Sequence, residues 1–217
     1  MASTGQSLES LGATLRTAAA TLRDAGIRYA LAGSLAAWAR GGPAPQSDLD
    51  LMVAPDDAQA ALKALEQAGM RPEHTPEEWL FKAWDGEVMI DLIFRPSGLD
   101  LDDEAFARAD TISVLAVAMP VMAIEDVLVT KLFALDEHAL DYAPLVAIAR
   151  ALREQIDWAT LRARTEQSAY ARAFFVLMAD LGVAPAQDHV LSAAPRRDRG
   201  ELQTPERERV RVINPST

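Results

Sequence analysis

The sequence predicts a mixed α/β lobe followed by a helical lobe, on three observations. Helical patterns and strand-like runs alternate from Ser7 through Gly69; an Asp85-Gly86 pair separates two strand-like runs within 80–94; and from Met122 onward one helical pattern follows another. The chain has 217 residues, half of them hydrophobic and 24% charged, so it can bury a core as one sizeable domain or a small pair. A net charge of -11 opposes wrapping of a polyanion by the whole surface, and no extended nucleic-acid surface is expected, while a local basic pocket remains allowed. The absence of cysteine excludes disulfides and thiolate metal sites. The longest uncharged stretch, Thr111 to Ile124, is interrupted by Pro120 and falls short of the ~18 apolar residues of a membrane span. With no secretory pattern at Met1 to Ser10, a cytoplasmic location is expected.

The elements follow in order. Leu8, Leu11, Leu15, Ala19 and Leu22 recur at three- and four-residue steps, which predicts a helix over Ser7 to Gly26 with the glycine as its stop. Ile27 to Ala32 reads as a strand that ends at Gly33-Ser34, before a short helix over Leu35 to Arg40. Gly41 to Ser47 is a loop by its glycines and prolines. Asp48 to Val53 alternates acidic and apolar residues and reads as a second strand, after which Pro55 opens a helix with Asp56 and Asp57 at the positive end of its dipole. Leu80 to Trp84 and Glu87 to Phe94 form a hairpin about Asp85-Gly86; pairing outward places Leu80 opposite Asp91 and Lys82 diagonal to it. Helices are expected over Ala123 to Asp136, Asp141 to Glu154, Asp157 to Ser168 and Tyr170 to Leu181. The division is therefore an α/β lobe over 1–121, a helical lobe over 122–194, and a disordered tail over 195–217 whose arginines alternate with acids and prolines.

Three aspartates stand where strands are expected, although aspartate is depleted from strands. Asp48 and Asp50 are two apart, so on a strand both carboxylates leave one face about 7 Å apart, and Asp91 can join them from a neighbouring strand. Such carboxylates repel unless protons or a cation intervene. All-oxygen ligation suits Mg²⁺ or Mn²⁺, which bridge carboxylates to substrate phosphates and so point to phosphoryl or nucleotidyl chemistry. Chance alone places roughly five acidic pairs at this spacing in a chain this acidic, so the context of the pair carries the reading, against solvent-facing acids at strand ends. Gly33-Ser34, where a strand gives way to a helix, either holds an anion on backbone N–H groups or supplies a helix-capping serine.

The order Ala32-Gly33-Ser34, Asp48-Leu49-Asp50-Leu51 and Ile90-Asp91-Leu92 resembles the signature of the nucleotidyltransferase superfamily of the DNA polymerase β type. The resemblance spans Ile27 to Phe94, and the layout is most similar to small bacterial branches related to AbiEii-like toxins and minimal nucleotidyltransferases. It implies a mixed sheet with flanking helices and a C-terminal helical lobe. It also implies a site in which Asp48, Asp50 and Asp91 bind Mg²⁺ or Mn²⁺ and are catalytic, with Gly33 and Ser34 holding the triphosphate of an NTP. A nucleoside monophosphate would pass to a hydroxyl acceptor, whether small molecule, protein or RNA end, with release of pyrophosphate. Lys131 lies beside the apolar stripe of Ile124, Val127, Leu128, Leu132 and Leu135, where it either snorkels outward or, as the resemblance implies, reaches the nucleotide phosphates.

The resemblance departs at one point. Members often carry a basic residue just before the acidic pair, whereas Gly41 to Ser47 has none, which leaves phosphate charge to Lys82, Arg40 or Lys131. A second reading therefore keeps the fold as a nucleotide- or partner-binding domain that has lost turnover. Lys82 pairing with Asp91, Arg40 at a helix end and His138 with Asp141 all have ordinary structural readings as well. His74 and His189 are isolated, and Trp38, Trp79, Trp84 and Trp158 are too scattered for a single-strand-binding stripe and read as core or rim.

Overall fold

The N-terminal apolar stripe forms α1 (Leu8–Asp24), with Leu11, Leu15, Ala18, Ala19 and Leu22 buried and Gly26 ending it at a positive φ of 71°. In this computed structural model, residues 8–45 and 48–185 are described. The expected order continues as β1 (Tyr29–Leu31), α2 (Gly33–Ala39), β2 (Leu49–Val53) and, after a 3₁₀ turn over Pro55–Asp57, α3 (Ala58–Gln67). Then come β3 (Arg71–Glu73), β4 (Leu80–Asp85), β5 (Val88–Ile93), α4 (Asp103–Ala107), β6 (Asp110–Val114) and β7 (Val117–Val121). The helices α5 (Ile124–Phe133), α6 (Ala143–Leu152), α7 (Trp158–Thr165) and α8 (Ala169–Asp180) follow, the first three within the stretches expected from their patterns and α8 starting one residue earlier than expected. No helix among the described residues is long and apolar enough to cross a membrane.

The seven strands form one sheet in the order β3-β4-β5-β2-β1-β7-β6. β2 and β5 are parallel, as are β1 and β7, and the other neighbours are antiparallel, so the sheet is mixed. Leu49, Leu51 and Val53 of β2 and Ile90 and Leu92 of β5 are buried on one face, beneath α1 and α3. From α1 the buried Thr14 donates its Oγ1 hydrogen bond to Asp85 Oδ2 at 2.7 Å on that same side. The alternate residues, Asp50 and Met52 of β2 and Asp91 and Ile93 of β5, therefore face the other way. The apolar core is continuous from the sheet through Val127, Leu128 and Leu132 of α5 to Phe174, Phe175 and Met178 of α8.

Four expectations need correction. The hairpin turns about Gly86-Glu87, not Asp85-Gly86: Asp85 pairs with Val88, and the positive φ falls on Gly86 (61°), the first central position, as a glycine-led turn prefers. The register consequently moves by two residues, placing Lys82, not Leu80, directly opposite Asp91. β2 begins at Leu49, so Asp48 stands one residue before it. Finally, β3, α4, β6 and β7 were not anticipated; β6 and β7 occupy much of the uncharged stretch noted above. The tail over 195–217 and His189 lie outside the described residues, as do Gln46 and Ser47 of the loop before Asp48.

Candidate active site

Parallel pairing sets Asp50 beside Asp91, and antiparallel pairing sets Asp91 beside Lys82, so three polar side chains form a row across β2, β5 and β4 on one face. Lys82 Nζ donates to Asp91 Oδ1 at 2.8 Å, with Met89 Sδ at 3.2 Å. Those two side chains are only 23% and 15% exposed, so the pair is partly desolvated and stronger than a surface ion pair. Asp50 keeps an exposed edge, yet its carboxyl is largely withdrawn from water. Burial raises its pKa; Lys131 opposes this, Asp91 and Asp48 add to it, Lys82 opposes it, and the result is a carboxyl pushed up to about 6.

Gly33 meets this carboxylate directly. Its φ is +61°, and a Cβ built there would fall 1.6 Å from Asp50 Oδ2, so only glycine fits. The Ala32 N–H also donates to the Asp50 carbonyl oxygen at 2.8 Å, which ties the strand-to-helix turn to the acidic strand. The close approach expected of this glycine is thus made to the protein's own acid. Ser34 is not the helix cap: Ala32 holds that position and offers no side-chain oxygen. The hydroxyl-bearing residue instead lines a small pocket of about 180 Å³ with Pro43, Ala44, Lys131, Pro144 and Ile148.

Lys131 of α5 also borders a second pocket, of about 270 Å³, over the sheet. It is floored by Gly33, Asp50, Met52 and Ile93 and walled by Trp79, Pro96, Ser97, Thr130 and Ala134. The two pockets share Lys131, with Ser34 in the lining of one and Asp50 in that of the other. Of the residues named from sequence, Gly33, Asp50, Asp91 and Lys131 thus occupy adjoining positions, with Asp48 close enough to raise the pKa of Asp50. Trp79, Met52, Ile93 and Thr130 were missed as site residues. Trp79 had a usable signal, since it immediately precedes the hairpin that carries Asp91.

Other candidates have structural roles. Arg40 Nε donates to the Met122 carbonyl at 2.9 Å, and its Nη2 donates to the Val121 carbonyl at 3.0 Å and to Asp110 Oδ2 at 2.9 Å, clamping the end of α2 to β6 and β7. Asp141 Oδ1 accepts from the Ala143 N–H at the start of α6, and the His138 N–H donates to Asp136 Oδ1. His74 stacks edge-on against Phe81.

Among the described residues no three Asp, Glu or His side chains gather closely enough to form a metal-binding group. The donor chemistry nonetheless suits a hard divalent ion. Asp50 is desolvated and crowded by two other carboxylates, an imbalance that a cation would reverse.

The mixed sheet thus sets two carboxylates side by side, with the Gly33 turn packed on one of them and Lys131 of α5 facing it. The chain belongs to the family described as uncharacterised nucleotidyltransferases, whose profile matches residues 9–179. Among solved structures it is similar to ANT(2″)-Ia, an antibiotic-resistance factor, at 17% identity and a TM-score of 0.49, over 80% of this chain and 92% of that one. It is also similar to the lincosamide antibiotic adenylyltransferase LnuA, at 16% identity and a TM-score of 0.45, over 63% and 92%. No curated protein matches the sequence. The protein is a nucleotidyltransferase by the family match across its sheet and helices.

Proposed function

We propose that the protein transfers a nucleoside monophosphate from an NTP to a hydroxyl acceptor and releases pyrophosphate. The observation that carries this reading is the pairing of Asp50 with Asp91 on adjacent parallel strands, facing Lys131 and overlaid by Gly33. Asp48, Asp50 and Asp91 would hold Mg²⁺ or Mn²⁺ only by drawing closer together around it, since without the ion they do not form a compact ligand group. Such an ion, when bound, supplies neutralisation of charge on the attacking and leaving oxygens.

The chain's own residues account for the rest. Ser34 and Lys131 border the smaller pocket and would supply a hydroxyl and a cation to the triphosphate, while Gly33 leaves room for the Asp50 carboxylate beside it. Asp91, on the strand beside Asp50, is the carboxylate that would take the proton of the acceptor hydroxyl. Lys82 keeps that carboxylate oriented from the neighbouring strand until substrate arrives. Two features favour a second reading, binding without turnover: Gly41 to Pro45 offers no basic side chain, and Asp91 is already neutralised by Lys82.

The test is incubation with each α-labelled NTP, Mg²⁺ and a pool of small hydroxylated metabolites. Labelled adducts with equimolar pyrophosphate, both lost in Asp91→Asn, support transfer. Labelled monophosphate without adduct would mean hydrolysis, and bound NTP without product would mean the second reading.

A further inference from the structure

The 270 Å³ pocket beside Asp50 is built differently from the one beside Ser34. Met52 and Ile93 form an apolar floor, and Trp79, 44% exposed, stands at its rim with a large indole that no other element covers fully. The backbone beneath that indole is fixed, because the Trp79 carbonyl accepts from the Phe94 N–H at 3.0 Å and the Arg95 N–H at 3.2 Å. The opposite wall is fixed too. Gly98, at φ +72°, packs so closely on α5 that a Cβ there would lie 2.1 Å from Phe133 Cδ2, which fixes the segment after Pro96 and Ser97 on the helix that carries Thr130.

We infer that this pocket receives the acceptor, and that the acceptor is a compact, uncharged hydroxyl compound carrying a ring. The inference rests on the transfer reading above. In-line displacement places the nucleophile opposite the leaving pyrophosphate. With the triphosphate beside Ser34 and Lys131, the acceptor side is therefore the far side of Asp50, where Trp79 stands. The volume lies near the lower bound of ordinary small-molecule sites, room for one ring system and too little for a folded RNA end. Charge selects further: Asp50 and Lys131 are the two ionisable side chains in the lining and offset each other, leaving no acidic wall for a polyamine. The indole supplies a stacking surface, and the hydroxyls of Thr130 and Ser97 supply polar contacts at the edge.

The experiment titrates the full chain, in Mg²⁺ and a non-hydrolysable ATP analogue, with 2-naphthol and cyclohexanol, and with spermidine and an adenosine-ended oligoribonucleotide as comparators. Ligand-observed NMR reads binding, and thermal shift reads the nucleotide separately. Wild type is expected to bind the ring alcohols and neither comparator. Trp79→Ala should weaken that binding about tenfold, and Ser97→Tyr, at an exposed position, should block the pocket; both should leave the nucleotide shift intact. If Trp79→Ala weakens the nucleotide instead, the pocket holds the base and the inference falls. If the nucleotide shifts wild type but no ring alcohol binds, or spermidine or the oligonucleotide binds in their place, this inference alone is overturned. If neither nucleotide nor alcohol binds, it falls together with the transfer reading.

Discussion

Asp50 links the stability of the protein to its chemistry. Its folded pKa, about 6, lies above the unfolded value, so between roughly pH 4 and 6 the native state holds a proton that the unfolded chain has released. The metal-free protein therefore loses stability as pH rises through that window and regains it as pH falls. Asp50→Asn removes the effect and should raise stability at pH 7.5 by about 1–3 kcal/mol in urea unfolding, with little gain at pH 4.5. A variant more stable than wild type yet without nucleotide binding is the signature of a residue kept for function. Gly33→Ala has the opposite character. It forces an L-residue into a positive φ and a Cβ into Asp50 Oδ2, so a loss of at least about 1–3 kcal/mol is expected, together with loss of nucleotide binding.

At the level of elements, the sequence was most readable where local signals were strong. The stripe of α1, the proline and acids ahead of α3, and the alternation of Asp48 to Val53 each point to one structure. The hairpin was found but its register was not, because Asp-Gly and Gly-Glu both satisfy a two-residue turn and the choice shifts every pair. β6 and β7 gave no turn signal at all. They are joined by Leu115 and Ala116, both at positive φ (48° and 67°), where a turn of this kind ordinarily recruits Asn and Gly. Tertiary contact takes the place of propensity there, since Leu115 packs on α1 with its Cβ 3.5 Å from where a Gly12 Cβ would stand. Pro120 is tolerated in β7 because the pairing with β1 is confined to Leu31 and Val121. Leu115→Asn combined with Ala116→Gly should therefore ease the backbone but surrender the α1 contact, for a net change within about 1 kcal/mol by chemical denaturation. The ion pair between β4 and β5 is less forgiving. Lys82→Met leaves Asp91 partly buried and alone, which should cost about 1–3 kcal/mol, and Lys82→Met with Asp91→Leu should recover part of it in a double-mutant cycle.

Across the whole molecule, the helices after the sheet are joined to it through a buried charge as well as through the apolar core. Asp126 on α5 is fully buried; it accepts Arg108 Nε and Nη2 at 3.1 Å each and Arg164 Nη2 at 2.5 Å from α7. No spacing rule brings residues 108, 126 and 164 together, so this junction was invisible in the sequence. Asp126→Ala strands two guanidinium groups and should cost about 3–5 kcal/mol, measured by thermal unfolding. The site itself was half legible. Asp50, Asp91 and Gly33 stand out in the sequence because acids inside strands and a glycine at a strand end break local rules, whereas Lys131 enters only through the family resemblance. Met52 and Ile93 of the pocket floor were not legible, because apolar residues that line a cavity read like any other core. The central claim is that Asp50 anchors an NTP together with a divalent cation. The most direct measurement is the melting temperature of wild type and Asp50→Asn, each compared with itself, with and without NTP and Mg²⁺ or Mn²⁺. The account expects one NTP plus metal to stabilise wild type by about 2.7 kcal/mol at a hundredfold excess over its dissociation constant, and to leave Asp50→Asn unmoved; an unshifted wild type, or an equal shift in the variant, would contradict it.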